Sequence, residues 1–306
     1  MRPIILALLA MAVSGCASLP GGWQPIPIRG VPDPGEVIAA STTSDWEDVS
    51  ADHLMVIGFA SGGGLIILLA PEFAPIHVAN IRALARGQWW RGATIYRVAE
   101  NYVTQWGHGE TGPPLSLGVV ERPPAEYDRP LAGLDVRALP YPDSYAAQVG
   151  HAAGWGVAFD RRRGIAWLPH CFGTVAVARD LAPDTGTGGE LYAVIGPAPR
   201  RLDRNIANVG RVIEGMSLLS SRPPGAGPQG MYQPDRGQTP IPIASIRLAS
   251  DMPVAERPPF ERMRTDTETF GNYVTGLANS GGPFLTEPAG GIDICTARVP
   301  VRRKSG

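Results

Sequence analysis

Ile95-Tyr96-Arg97-Val98-Ala99-Glu100-Asn101-Tyr102-Val103-Thr104-Gln105-Trp106-Gly107 sets an arginine, aromatics, a branched aliphatic and an amide on one strand–turn–strand surface. Arg97 and Gln105 are its polar members, and Tyr102 and Val103 supply apolar wall. No residue in it suits a strong nucleophile, a metal or a phosphate. The pattern suits an apolar slot with a guanidinium at its lip, able to hold a proline ring and hydrogen-bond the amide beside it.

The surrounding chain has 306 residues and a formal charge of −1, so a large core is affordable and nothing electrostatic argues for a nucleic-acid partner. Its 38 glycines and 31 prolines point to a loop-rich, mainly β protein with a few helices. Met1-Arg2 and the apolar run Ile4–Val13 are too short to span a membrane and fit a secretory signal over residues 1–15. Val13-Ser14-Gly15-Cys16 resembles the lipobox of bacterial lipoproteins, which implies lipidation of Cys16. With Ala17 following, the resemblance implies export to the periplasm and an outer-membrane anchor; a plain signal cut near Ala17 fits the same small residues. In that compartment Cys171 and Cys295 would more often be bridged than free, two separate buried thiols being the other reading. No spacing suggests a metal, and no cofactor is expected.

Residues 16–45 read as a tether. Next come a hairpin, Leu54–Phe59 and Leu65–Leu69 around Ser61-Gly62-Gly63-Gly64, and a helix with apolar face Ala74, Val78, Ile81 and Ala85. Pro75 fits that helix's first turn and Gly87 its end. An insertion at about 108–170 holds irregular excursions at Pro123–Tyr127 and Ala138–Tyr145. It then holds a hairpin, turning at Arg161-Arg162-Arg163, that is expected to return to the sheet. Gly173–Ala178 resumes strand alternation, and Asp184–Gly189 is no phosphate loop because no Gly-Lys-Ser/Thr follows. Pro240–Leu248 reads as a closing strand; residues 251–306 read as an accessory segment, helical over Val254–Leu277 and with Cys295 in a final strand.

Four ordered blocks resemble the cyclophilins, the peptidyl-prolyl cis/trans isomerases: the hairpin–helix unit, the Arg97–Gln105 motif, Arg179-Asp180 through Gly196, and Leu202-Asp203 through Val209-Gly210-Arg211-Val212-Ile213-Glu214-Gly215-Met216. The resemblance implies a closed antiparallel β-barrel capped by helices over residues 46–250, with the C-terminal segment packed on it. It implies X–Pro isomerisation in proline-containing clients, envelope proteins among them, by a protein expected to be a monomer. Arg97 occupies the catalytic position; Tyr102, Val103, Tyr192 and Leu202 match the proline-pocket wall. Gln105 matches the backbone-anchoring glutamine, and Ala178 and Arg179 the strand on which a peptide would pair.

Departures from the family pattern bear on rate and specificity. Glu190 replaces a glutamine, adding charge; two tyrosines are expected to make the pocket more polar; Ile206 replaces a histidine. Arg201 stands where cyclosporin-sensitive members carry tryptophan, which implies weak cyclosporin binding. A non-catalytic groove that only binds proline segments is the alternative. A remote one is a trypsin-like protease, from Pro169-His170-Cys171 and Asn279-Ser280-Gly281-Gly282-Pro283; Ala278 and the short remaining chain speak against it.

Overall fold

The computed structural model describes residues 28–281 and 285–304, so residues 1–15, read as a signal, and Cys16 lie outside the described residues. Eight strands build the body: β1 (Leu54–Phe59), β2 (Gly64–Leu69), β3 (Thr94–Ala99), β4 (Val103–Gly107), β5 (Thr174–Val177), β6 (Leu191–Val194), β7 (Asn208–Glu214) and β8 (Ile241–Leu248). They close in the order β5-β6-β4-β3-β8-β1-β2-β7, and every neighbouring pair is antiparallel. This is the expected barrel. Among the described residues four α-helices accompany it: α1 (Pro34–Ala40), α2 (Pro75–Arg86), α3 (Ser217–Ser220) and α4 (Glu268–Ala278).

The period of two along each strand sorts the barrel's apolar residues into separate cores. Met55, Ile57, Leu65, Ile67 and Leu69 point inward with Val78, Ile81 and Leu84 of α2. Leu54, Ile66 and Leu68 point outward, where Trp155, Val157, Phe159 and Leu168 of the insertion cover them. That double coverage explains the unbroken apolar run in β2, which an open sheet face would not need. On β5 and β6 the inward set is Val175, Val177, Leu191 and Ala193. The outward set is Ala176, Tyr192 and Val194, which with Val103 form a small cluster of their own.

The insertion differs from its expected form. Its hairpin, Trp155–Asp160 with Ile165–Trp167, does not rejoin the barrel but centres a separate five-stranded sheet with residues 129–130, 137–138 and 148–152. The irregular excursion expected over Ala138–Tyr145 begins on the end of an edge strand, Arg137–Ala138. Another part caps α2: the Glu126 carboxylate accepts from the backbone N–H groups of Ile76 and His77, at 2.8 and 2.9 Å, and from His77 Nδ1 at 2.7 Å.

The two ends of the described chain fold together. Within the stretch read as a tether, Asp33 caps α1, which packs on α4, and Val37 is buried with Phe270 and Val274, as is Trp46 just beyond that stretch. Residues 46–48, 260–263 and 301–303 form a three-stranded sheet. Helix therefore starts only at Glu268, because Phe260–Met263 extends to pair with both of its neighbours. Cys295 lies in a turn, not a strand, and is joined to Cys171 with S–S 2.03 Å.

Candidate active site

The hairpin β3–β4 carries the site. Its turn closes with Tyr102 N–H on the Ala99 carbonyl at 3.0 Å, and Asn101 takes the left-handed conformation at φ 53°, which asparagine tolerates. Between Ile95 and Arg97 the register slips against β4: Ile95 faces Trp106 and Arg97 faces Gln105, leaving Tyr96 as the extra residue of a bulge. A bulge re-aims side chains, so the neighbours Tyr96 and Arg97 both reach Gln105 instead of pointing to opposite faces.

Every donor in the resulting chain has one assignment. Arg97 Nη1 donates to Gln105 Oε1 at 2.8 Å, Gln105 Nε2 donates to the Tyr96 hydroxyl at 2.5 Å, and that hydroxyl donates to Glu190 Oε2 at 2.7 Å. Glu190 Oε1 is held by the His108 and Gly109 N–H groups at 2.7 and 3.0 Å. Burial pushes the Glu190 carboxyl up, against those hydrogen bonds; the Tyr96 phenol is pushed far up by burial and by the Glu190 charge. Glu190 thus lies behind Gln105, anchoring the chain, and does not line the groove.

A second clamp comes from the loop after α3. Arg97 Nε donates to the Gln229 carbonyl at 2.8 Å, and Gly225 and Tyr232 donate to the Val98 and Tyr96 carbonyls along the same edge of β3. Gly230 makes this approach possible: its φ is +83°, and a Cβ there would run into the Val98 carbonyl. Among the described residues nothing accepts from Arg97 Nη2. The guanidinium is held at two nitrogens and presents the third.

Beside it stands the outward cluster of Val103, Ala176, Tyr192 and Val194, against which Ala99, Tyr102, Ala178 and Ile206 pack. Tyr102, Val103, Gln105 and Tyr192 are therefore brought together around Arg97. Leu202 is not part of that cluster: it ends a 3₁₀ turn pinned by its neighbours Arg200 and Asp203, and Ile206 takes the place at the wall. Ala178 and Arg179 follow directly on β5, but the Ala178 N–H is committed to the Glu190 carbonyl at 2.9 Å and is not free for a peptide. The wall also stays less polar than two tyrosines implied, since the Tyr192 hydroxyl turns inward to His170 Nε2 at 3.2 Å.

Behind that hydroxyl lies a buried ionic network. Asp203 Oδ1 accepts from the His170 N–H at 2.9 Å and faces His170 Nδ1 at 3.2 Å, while Arg200 bridges Asp203 at 2.9 Å and Asp143 at 2.8 Å. Burial raises the Asp203 carboxyl, but the His170 hydrogen bond and the Arg200 charge outweigh it and hold it below its usual range. The Asp203 carboxylate thus lies on the Nδ1 side of His170, where Asn208 Nδ2 also stands at 3.3 Å, and the Tyr192 hydroxyl lies on the Nε2 side. His170 is thereby occupied on both sides. Ser280 donates instead to the Gly276 and Leu277 carbonyls at the end of α4, so no protease dyad forms.

Comparison with known proteins decides the family. The family model described as cyclophilin type peptidyl-prolyl cis-trans isomerase/CLD matches residues 54–234, from the first barrel strand to the loop that clamps Arg97. The chain belongs to the cyclophilins. Among solved structures this cyclophilin is similar to AquaCyp293 from Hirschia baltica, with 22% identity, 85% of this chain and 95% of that chain covered, and a TM-score of 0.66. A Cryptosporidium parvum cyclophilin-type isomerase, crystallised in the presence of the dipeptide Ala-Pro, is matched at 12% identity over 64% of this chain and 98% of that one, with a TM-score of 0.39. No curated protein sequence matches.

Tyr96, His170 and Gln229 are the residues at this site that sequence reasoning missed. Tyr96 needed the bulge, and Gln229 acts through its backbone, which no side-chain pattern reports. His170 had a signal, its place before Cys171, but that pointed to protease chemistry.

Proposed function

We propose that this cyclophilin-type isomerase turns X–Pro bonds by using Arg97 to stabilise the twisted amide. The planar amide resists rotation by roughly 18–20 kcal/mol. Twisting localises a lone pair on the prolyl nitrogen, and a guanidinium already held in place can donate to it without reorganising. The proline ring rests on Val103, Tyr102, Tyr192 and Ile206. Gln105 Nε2 keeps a second hydrogen for a peptide carbonyl beyond the one given to Tyr96. The observation that carries this reading is the one-way hydrogen-bond chain from Arg97 to Glu190, which leaves Arg97 Nη2 as the open donor.

The clients we infer are exported or envelope proteins, met by an isomerase that is itself exported and lipid-anchored through Cys16. The signal-like residues 1–15, the lipobox and the bonded cysteine pair support that location. A peptide isomerisation assay on the full chain in detergent tests the activity. Turnover of an Ala-Ala-Pro-Phe peptide that collapses in Arg97→Ala is expected; no turnover would leave a groove that only binds. Mass spectrometry of the mature N-terminus checks the anchor, with a diacylglyceryl cysteine expected.

A further inference from the structure

Three arginines, Arg97, Arg179 and Arg201, stand at the rim of the groove. Arg179 donates from Nε and Nη2 to the Asn205 carbonyl at 3.1 and 3.0 Å, and from Nη1 to the Asp180 carbonyl at 2.6 Å. Arg201 is exposed and stands over the Tyr102 ring at 5.5 Å. Arg97 binds an amide oxygen and a backbone carbonyl. All three guanidiniums therefore rest on neutral groups. Arg200, the arginine behind the same wall, differs in having two carboxylate partners, Asp203 and Asp143.

Nearby acids are engaged or elsewhere. Glu190 is bound to Tyr96, His108 and Gly109, Asp203 to Arg200 and His170, and Asp184 to the Asp180 and Gly186 N–H groups. Asp180 and Glu100 are exposed on their loops and pair with none of the three arginines. The charges converge on one wall: Arg97 pairs with Gln105 of β4, the strand partner of Tyr192, Arg201 stands over Tyr102, and Arg179 follows Ala178, which packs with Tyr102 on the same cluster. A guanidinium fixed by neutral acceptors keeps its full charge for an incoming anion.

We infer that the groove selects proline segments with a carboxylate side chain next to the proline, with Arg179 and Arg201 as its specificity determinants. The inference rests on the isomerase reading of the same groove and adds the substrate class. Recognition of this kind is electrostatic and part-exposed, so it weakens as salt rises.

The test uses the full chain in detergent with short peptides carrying Glu, Ala or Lys immediately before or immediately after proline. Affinity is read by calorimetry and isomerisation by NMR exchange spectroscopy, at low and high salt. The expected result is a Glu-over-Lys preference of about fivefold or more at one of the two positions, shrinking at high salt. Each variant is normalised to its own Ala peptide. Arg179→Gln and Arg201→Gln each cut the preference at least twofold, and Arg201→Lys restores it, which separates charge from packing on Tyr102. Arg163→Gln, at the distant hairpin tip, removes the same charge and leaves the preference in place. Equal affinity for Glu and Lys peptides at both positions, or an equal loss in Arg163→Gln, overturns the inference. Absence of isomerisation on every peptide overturns the isomerase reading instead, with the affinity ratio still deciding the charge preference.

Discussion

Two chains of polar groups end at the same apolar wall, and they do opposite things. In front, Arg97, Gln105, Tyr96 and Glu190 form a line of directed donors whose first member is half-exposed and keeps an open nitrogen. Behind, Asp143, Arg200, Asp203, His170 and Tyr192 form a line that is closed at every link, with Arg200 at 4% and His170 at 1% exposure. Arginine and tyrosine appear in both. What separates the array proposed to act on substrate from the brace is whether its terminal donor is left uncommitted at an exposed surface.

Breaking the rear chain should give the largest effect. Arg200→Ala strands two buried carboxylates, so a loss of about 3–5 kcal/mol in urea unfolding is expected. Activity per folded molecule should stay within a few-fold of the parent; a much larger drop would mean that the brace takes part in the chemistry.

The front chain gives the converse. Arg97→Ala should lower kcat/KM about a hundredfold or more, with a melting temperature close to the parent's because the side chain is part-exposed. Unchanged turnover would remove Arg97 from the mechanism.

Acid separates the buried groups from the exposed ones. Burial, against the hydrogen bond to the Ala297 carbonyl, lowers the His151 imidazole from 6.5 to about 4. The unfolded chain therefore takes up a proton below pH 6.5 that the folded one refuses until about 4. Stability should fall across that window by about 3 kcal/mol. For Asp203 the depressed carboxyl supplies stability above the usual carboxylate range and loses it only as pH drops through its own lower value. Urea melts of the parent and His151→Gln at pH 7 and 4.5 check this: the variant should show a clearly smaller acid loss.

The smallest effect is expected at the middle of the front chain. Tyr96→Phe removes the acceptor for Gln105 and the donor to Glu190 while keeping the ring. A loss of about tenfold in kcat/KM, roughly 1.4 kcal/mol, would show that the relay positions Arg97. No loss would assign that task to the Gln229 carbonyl alone.

Much of the fold was legible in the chain because it is written in alternation and punctuation. The β1–β2 hairpin, α2 between Pro75 and Gly87, and the strand of Arg97 each declare themselves within a dozen residues. The site was legible as a set of neighbours: Arg97, Tyr102, Val103 and Gln105 lie on one hairpin, and Tyr192 reaches them through the β4–β6 pairing of Gln105 with Tyr192. Less visible were features that depend on partners far away in sequence. Leu202 yielded its place to Ile206 because buried charges fix the turn before it, and Glu190 turned away from the groove because two backbone N–H groups lie behind it.

By itself the sequence determined a barrel, an apolar slot and the arginine at its lip, since local spacing decides which side chains share a strand face. Only the tertiary structure decided which nitrogen of Arg97 stays open, where the Tyr192 hydroxyl goes and which arginines lack a counter-charge. Those outcomes depend on a bulge, a backbone carbonyl 132 residues away and the competition among buried partners, none of which a linear pattern encodes.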